Sequence, residues 1–293
     1  MPHPESVAMA GVIGETAYAK VNVALHVRAR RDDGYHALES LFVFAEDGDE
    51  LTARLRDDTT IALTIDGPFG GGLDAGSDNL VLRAAHLLRE HLGERRGAAL
   101  HLTKNLPVAS GIGGGSADAA ATLRLLLRLW DAQIDAAALT DIALTIGSDV
   151  PACLASISQM VAGRGEHLVR HAVDGLEGAP MLLVNPGVGV STGSVFAGWD
   201  RQDRGALNAD SLDALIRLGR NDLEAPAFRC APIIGDVLAV MNDQPGLTLA
   251  RMSGSGATCF ALFEDGIALS AAAQAIGTAH PDWWVMETRV RGG

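Results

Sequence analysis

Between Leu106 and Ala121 the chain reads Leu-Pro-Val-Ala-Ser-Gly-Ile-Gly-Gly-Gly-Ser-Ala-Asp-Ala-Ala-Ala, with four glycines in the five positions 111–115. Without Cβ atoms such a run can turn successive backbone N–H groups inward. A helix that starts at its end adds free amides and the positive end of its dipole. The chemistry this permits is anion binding, above all of phosphate, and Ser116 can add a hydroxyl. A Walker loop needs a lysine before its final Ser or Thr, but Gly115 stands there. A dinucleotide fingerprint needs an early βαβ unit and an acid about 20 residues further on, and this loop begins after residue 100 without one. Two lysines also stand out: 21 of the 23 basic residues are arginine, leaving only Lys20 and Lys104. A compact ammonium on a flexible stem does work that a planar guanidinium cannot, so both positions are candidate site residues.

The rest of the composition narrows the classes. The chain has 293 residues, 48% hydrophobic and 20% charged, which suits a folded chain of two domains and excludes intrinsic disorder. Its formal charge is −13 and its pI about 5.0, so nothing supplies the field for a broad nucleic-acid or anionic-membrane surface. An anionic ligand must therefore be held by a local device, which the glycine loop provides. The three cysteines, Cys153, Cys230 and Cys259, are too few and too far apart for a disulfide framework or a zinc site, and they fit a reducing cytoplasm. No apolar run reaches the ~18 residues of a membrane span. Residues 1–14 carry no signal or transit pattern and read as a tail.

Alternation and propensity predict strands at 16–28, 35–45, 51–56, 61–65 and 98–104. They predict helices at 79–91, capped by Ser77 or Asp78, from the loop to Trp130, and at 136–146. Beyond Pro151 the pattern changes to strands at 159–163, 181–185, 247–252, 258–263 and 283–290, with helices at 211–218, 233–241 and 267–276. Asp118 reads as a residue that caps the loop helix or favours its start. Strands and helices mix without a regular βαβ rhythm, so the class is α+β. A boundary near 160 divides the chain into residues 1–160 and 161–293.

The loop resembles the second motif of the GHMP kinases, ATP-dependent kinases of small molecules. Ala17-Tyr-Ala-Lys-Val-Asn-Val-Ala-Leu25 resembles the first motif of that family, and Met252-Ser-Gly-Ser-Gly-Ala-Thr-Cys-Phe260 the third. The resemblance implies a two-domain fold: an N-terminal ATP-binding domain with a Gly-rich phosphate loop, and a smaller C-terminal α/β sandwich. It implies ATP with Mg²⁺, bound by Lys104 and by Pro107, Val108, Ala109, Ser110, Gly111, Ile112, Gly113, Gly114, Gly115, Ser116 and Ala117. No residue is identified as a metal ligand.

Asp32-Asp-Gly-Tyr-His-Ala-Leu-Glu-Ser-Leu-Phe42 and Ile146-Gly-Ser-Asp-Val-Pro151 are similar to one branch of the family. The acceptor of that branch is a cytidine diphosphate derivative in the non-mevalonate route to isoprenoids. The resemblance implies that Tyr35 and His36 hold the cytosine, that Asn22 and Thr192 contact the acceptor, and that Lys20 and Asp149 are catalytic. Aromatic stacking on a base suits the first role. A carboxylate that takes a hydroxyl proton, beside an ammonium that stabilises a transferring phosphoryl group, suits the last. Tyr18 and Ser255 replace residues common in this branch, a proline and a threonine. The expected partner is a small molecule, not nucleic acid or membrane, and the expected state is a monomer or homodimer.

Overall fold

The computed structural model describes residues 11–293, so the first ten residues of the expected tail lie outside the described part. Strand β1 (Ile13–Arg30) already includes the end of that tail. It runs antiparallel to β2 (His36–Arg56), from Ile13 opposite Ala53 to Arg30 opposite His36. The expected strands 35–45 and 51–56 are thus one. The acidic stretch Glu46-Asp-Gly-Asp-Glu50 has turn composition, yet stays extended because it pairs with β1 (Ala17 opposite Asp49, Tyr18 opposite Gly48). A Cβ at Gly48 would run into the Ala17 backbone, so the close approach of the two strands there requires glycine.

Strand β3 (Ile61–Asp66), helix α1 (Leu80–Leu92) and strand β4 (Gly97–Thr103) form a crossover, with β3 and β4 parallel. The α1 cap is Asn79, whose side chain accepts from Val81 N at 2.9 Å, in place of Ser77 or Asp78. Helices α2 (Gly114–Leu129), α3 (Ala136–Ile146) and α4 (Val150–Ala155) follow, then the hairpin β5 (Gln159–Gly163) and β6 (His167–Arg170). In this six-stranded sheet β2 is flanked by β1 on one side and by β4 and β5 on the other, at opposite ends of its length.

The second sheet consists of β7 (Pro180–Asn185), β8 (Leu247–Met252), β9 (Cys259–Phe263) and β10 (Trp284–Arg289), in the order β10-β7-β9-β8 and antiparallel throughout. Helices α5 (Thr192–Ala197), α6 (Leu212–Leu218), α7 (Glu224–Cys230) and α8 (Ile233–Asn242) lie between β7 and β8, and α9 (Gly266–Ala279) precedes β10. The elements that periodicity overlooks, α4, α5, α7 and β6, have seven residues or fewer, too short to show a repeat.

Strand β1 is the keel of the molecule. Ala17 packs towards α2, while Ala19, Val21 and Val23 join Leu183, Phe260 and Leu262 of the second sheet in one core. Both faces of β1 are therefore covered between residues 17 and 27, and its polar side chains Lys20 and Asn22 are buried with the rest. A polar residue in so enclosed a strand must have partners. Those partners make the site.

Candidate active site

The three sequence motifs, spread from Ala17 to Phe260, interlock through hydrogen bonds of the backbone and of Ser253. Lys20 N donates to Ile112 O at 3.0 Å and Thr258 N to Ser110 O at 3.0 Å. Ser253 Oγ accepts from Asn22 N at 3.0 Å and donates to Gly111 O at 3.0 Å. Gly111 has φ 80°, and a Cβ there would fall 2.5 Å from Ser253 O, so only glycine fits between the second and third motifs. Ile112 is fully buried beside Leu106 in the core between the sheets and anchors the loop.

Gly113, with φ 66°, caps α2 without any side-chain hydrogen bond. The amides of Gly114, Gly115 and Ser116 open the first turn, where no helical carbonyl can reach them. They face a cleft of about 1080 Å³ lined by these residues together with Ala109, Ser110 and Gly111. Pro107, Val108, Ile112 and Ala117 shape the loop without lining the cleft.

Asp118 lies one turn inside α2 and does not cap it. It points inward at 4% exposure and accepts from Lys104 Nζ at 2.8 Å. Lys104 is also buried and pairs with Asp49 as well. The other Asp49 oxygen accepts from the amides of Asn105, at 2.6 Å, and Leu106, at 2.8 Å. Lys104 therefore stands beneath the loop, outside the cleft lining. Burial would lower its pKa, but the two carboxylates outweigh that and raise it.

Burial pushes the Asp118 carboxyl up to about 7; Lys104 opposes the shift and Asp49 adds to it. The folded chain thus holds a proton that an unfolded aspartate releases near ~3.9. Its stabilising effect is complete below that value and disappears as pH rises through 7. Asp118→Asn has no such proton to lose. Wild type should therefore fall in Tm relative to D118N between pH 4 and 7.5, and parallel melts across that range check it; a constant difference in Tm would refute it.

At the centre of the cleft, Lys20 Nζ lies 3.3 Å from Asp149 Oδ2 and donates to Asn22 Oδ1 at 2.9 Å. Asn22 Nδ2 donates to Ser40 Oγ at 2.9 Å, and that hydroxyl donates to Ala24 O at 2.6 Å. The ammonium also sits 4.4 Å from the centroid of the Phe42 ring, a cation–π contact. A Cβ on Gly113 would approach Lys20 Cε to 3.0 Å, so the lysine runs directly alongside the start of α2. Asp149 precedes α4 but makes no capping bond, which leaves its part-exposed carboxylate for chemistry in the cleft.

The start of β2 supplies the aromatic wall. His36 packs on Phe196 with centroids 5.0 Å apart and meets the Trp199 edge at 5.7 Å. Burial, with a smaller effect from Arg30, lowers its pKa. Tyr35 is 61% exposed, with the Arg164 guanidinium 5.4 Å from its ring centroid. Thr192 Oγ1 lies 3.0 Å from Ser255 Oγ, joining α5 to the third motif.

All four residues expected on the acceptor side, Asn22, Tyr35, His36 and Thr192, line the same cleft as Lys20 and Asp149. Sequence reasoning missed Trp199, Arg164, Arg201 and Arg30, which also line it. Composition held one clue, an acidic chain that must concentrate its cations. The cleft has Lys20 and three arginines against the acids Asp149 and Glu166, in a chain of net charge −13.

Comparison with known proteins agrees with this geometry. Residues 79–156 match the GHMP kinases N terminal domain and residues 204–282 the GHMP kinases C terminal domain. A 4-diphosphocytidyl-2-C-methyl-D-erythritol kinase of Rhizorhabdus wittichii is 50% identical over 279 residues, 94% of each chain. The chain belongs to the GHMP kinases. Its place within the family is that of the 4-diphosphocytidyl-2-C-methyl-D-erythritol kinases. A member from Sphingopyxis alaskensis is 49% identical and covers 97% of this chain and 100% of its own. A crystal structure of 4-(cytidine 5'-diphospho)-2C-methyl-D-erythritol kinase superposes with a TM-score of 0.80 at 35% identity, over 96% of this chain and 100% of the other. The homoserine kinase of Cytophaga hutchinsonii, at 21% identity and a TM-score of 0.75, shares the fold. The α+β class and the kinase fold expected from sequence are those found, and the chain is a small-molecule kinase.

Proposed function

We propose that this kinase transfers the γ-phosphoryl group of ATP to the 2-hydroxyl of 4-diphosphocytidyl-2-C-methyl-D-erythritol, giving the 2-phosphate and ADP. The observation that carries the reading is one cleft in which the Lys20–Asp149 pair, at 3.3 Å, lies between the open amides of α2 and the aromatic wall at Tyr35 and His36. The names of the 50% and 49% identical relatives support the acceptor.

In this reading residues 107–117 cradle the triphosphate, the amides of Gly114, Gly115 and Ser116 receive phosphate oxygens, and Lys104 serves the loop from beneath. Asp149 accepts the proton of the acceptor hydroxyl. The freed oxygen bonds to the γ-phosphorus while the bond to the β–γ bridging oxygen breaks, and ADP leaves with that electron pair. Lys20 stabilises the charge spread over the moving phosphoryl oxygens, where most catalysis of this reaction arises. Asn22, fixed by Ser40 and Ser253, holds Lys20 and orients the acceptor. Tyr35 stacks on the cytosine, His36 hydrogen-bonds its edge, and Thr192 contacts the diphosphate.

Among the described residues no three His, Cys, Asp or Glu side chains gather as a metal cluster. Of the carboxylates that line the cleft, Glu166 is turned back onto Arg164, so Asp149 alone fits a Mg²⁺ that would be held mainly by phosphate oxygens and water. That ion would neutralise charge between the β- and γ-phosphates. We further propose that the enzyme works in the cytoplasm, as a monomer or homodimer, and does not bind nucleic acid. No helix among the described residues is long and apolar enough to cross a membrane.

Coupled ADP release with Mg-ATP tests the reaction, with 4-diphosphocytidyl-2-C-methyl-D-erythritol run beside mevalonate, homoserine and galactose. Turnover on the cytidyl acceptor alone is expected. Turnover on another of the four would keep the phosphate loop but reject the acceptor and the role of Tyr35 and His36.

A further inference from the structure

Lys104 is one of two lysines in the chain, yet its ammonium never reaches the cleft. It lies against the underside of the first turn of α2, where a Cβ added to Gly114 would come within 3.0 Å of Nζ and 3.6 Å of Asp49 Oδ2. The carboxylates that grip it come from two other elements, Asp49 from β2 and Asp118 from α2. Asp49 also binds the amides of Asn105 and Leu106, which lead into the loop. One ammonium thus ties the end of β4, the middle of β2 and the start of α2 together on both sides of the glycine run.

Stability does not explain this arrangement. A buried ion triad is commonly no more stable than well-packed apolar side chains of similar volume. Among the described residues Asp118 Oδ1 is moreover buried without a hydrogen-bond partner, so the network is incompletely satisfied. What charge-assisted hydrogen bonds do supply is a fixed distance and direction. We propose that Lys104 is a positioning residue for ATP. Held by Asp49 and Asp118, it sets the height at which the first-turn amides of α2 meet the phosphates, without touching the nucleotide. This inference rests on the loop being the ATP site.

The test combines calorimetric binding of a non-hydrolysable ATP analogue with Mg²⁺ and steady-state kinetics on the full chain. Lys104→Met is expected to weaken analogue affinity and raise the KM for ATP at least tenfold, leaving the acceptor KM within twofold. Lys104→Arg should not rescue it, because a guanidinium does not fit beneath Gly114. Asp118→Asn, isosteric and still an acceptor but uncharged, loosens one of the two grips on Lys104 and should weaken ATP binding less than Lys104→Met does, again with the acceptor KM within twofold. Gly114→Ala presses on the ammonium from the other side and should weaken ATP in the same way. The double variant K104M/G114A should then be less than additive, as for two residues that share one contact.

Equal losses in both KM values, following the fall in Tm, would reduce Lys104 to structural support and overturn the proposal. Additive effects would mean that Lys104 meets the nucleotide directly, and unchanged ATP affinity would also overturn it. If K104M does not fold, K104R and G114A carry the same comparison. A wild-type protein that fails to bind the analogue would reject the ATP reading itself, a result separate from any of these.

Discussion

Asp149→Asn is expected to lower kcat by about 10²–10⁴-fold, the usual contribution of a positioned general base, while the affinity for ATP stays near that of the wild type. The substitution is nearly isosteric. The native carboxylate makes no capping bond to α4, so its loss should not loosen the helix. Lys20 keeps Asn22 Oδ1 as an acceptor at 2.9 Å and is not left as an unpaired buried charge, the situation that makes breaking an ion pair so costly. The nucleotide is held through loop amides that do not involve residue 149. The defect should therefore appear in turnover, with little change in the KM for ATP and no change in thermal stability beyond a degree or two. Steady-state kinetics alongside calorimetric ATP binding checks both halves. Near-normal turnover would remove Asp149 from the chemistry, and loss of ATP binding would mean that the carboxylate serves the metal–nucleotide complex instead.

Tyr35→Ala should raise the KM for the cytidyl acceptor by about 5–150-fold, the equivalent of ~1–3 kcal/mol for one aromatic–base stack. The side chain is 61% exposed, so little apolar burial is lost and the fold should be indifferent. The KM for ATP, bound at the α2 side of the cleft, should not move. His36 is a poorer probe of the same wall, because it packs on Phe196 and Trp199 and its removal would disturb the protein as well as the contact. An acceptor KM unchanged by Tyr35→Ala would show that the base does not stack there, whatever the acceptor.

Much of this protein could be read from its residues. The glycine run at 111–115, the rarity of lysine and the Tyr35–His36 segment are local facts of type and spacing, and local sterics translate them directly. A backbone that needs positive φ at Gly111 and Gly113 must use glycine or accept strain. Strands with clear alternation and helices of ten or more residues were legible for the same reason. Element limits failed where pairing overrides composition, as in β2, whose acidic middle looks like a turn until β1 is laid beside it.

What only the tertiary structure decided is which polar groups face the cleft and which face inward. Lys20 and Lys104 look alike in sequence, each within a stretch expected as strand. One ammonium meets Asp149 in the open cleft, and the other is closed under α2 between Asp49 and Asp118. Asp118 reads as a helix-start residue and instead points into the core. The arginines of the acceptor end, Arg30, Arg164 and Arg201, come from three separated segments and carry no shared spacing. A side chain's chemistry depends on its partners and its access to water, and for the two lysines the acidic partners lie 14 to more than 100 positions away. No local pattern records such distances; the packing of β1 between α2 and the second sheet creates them.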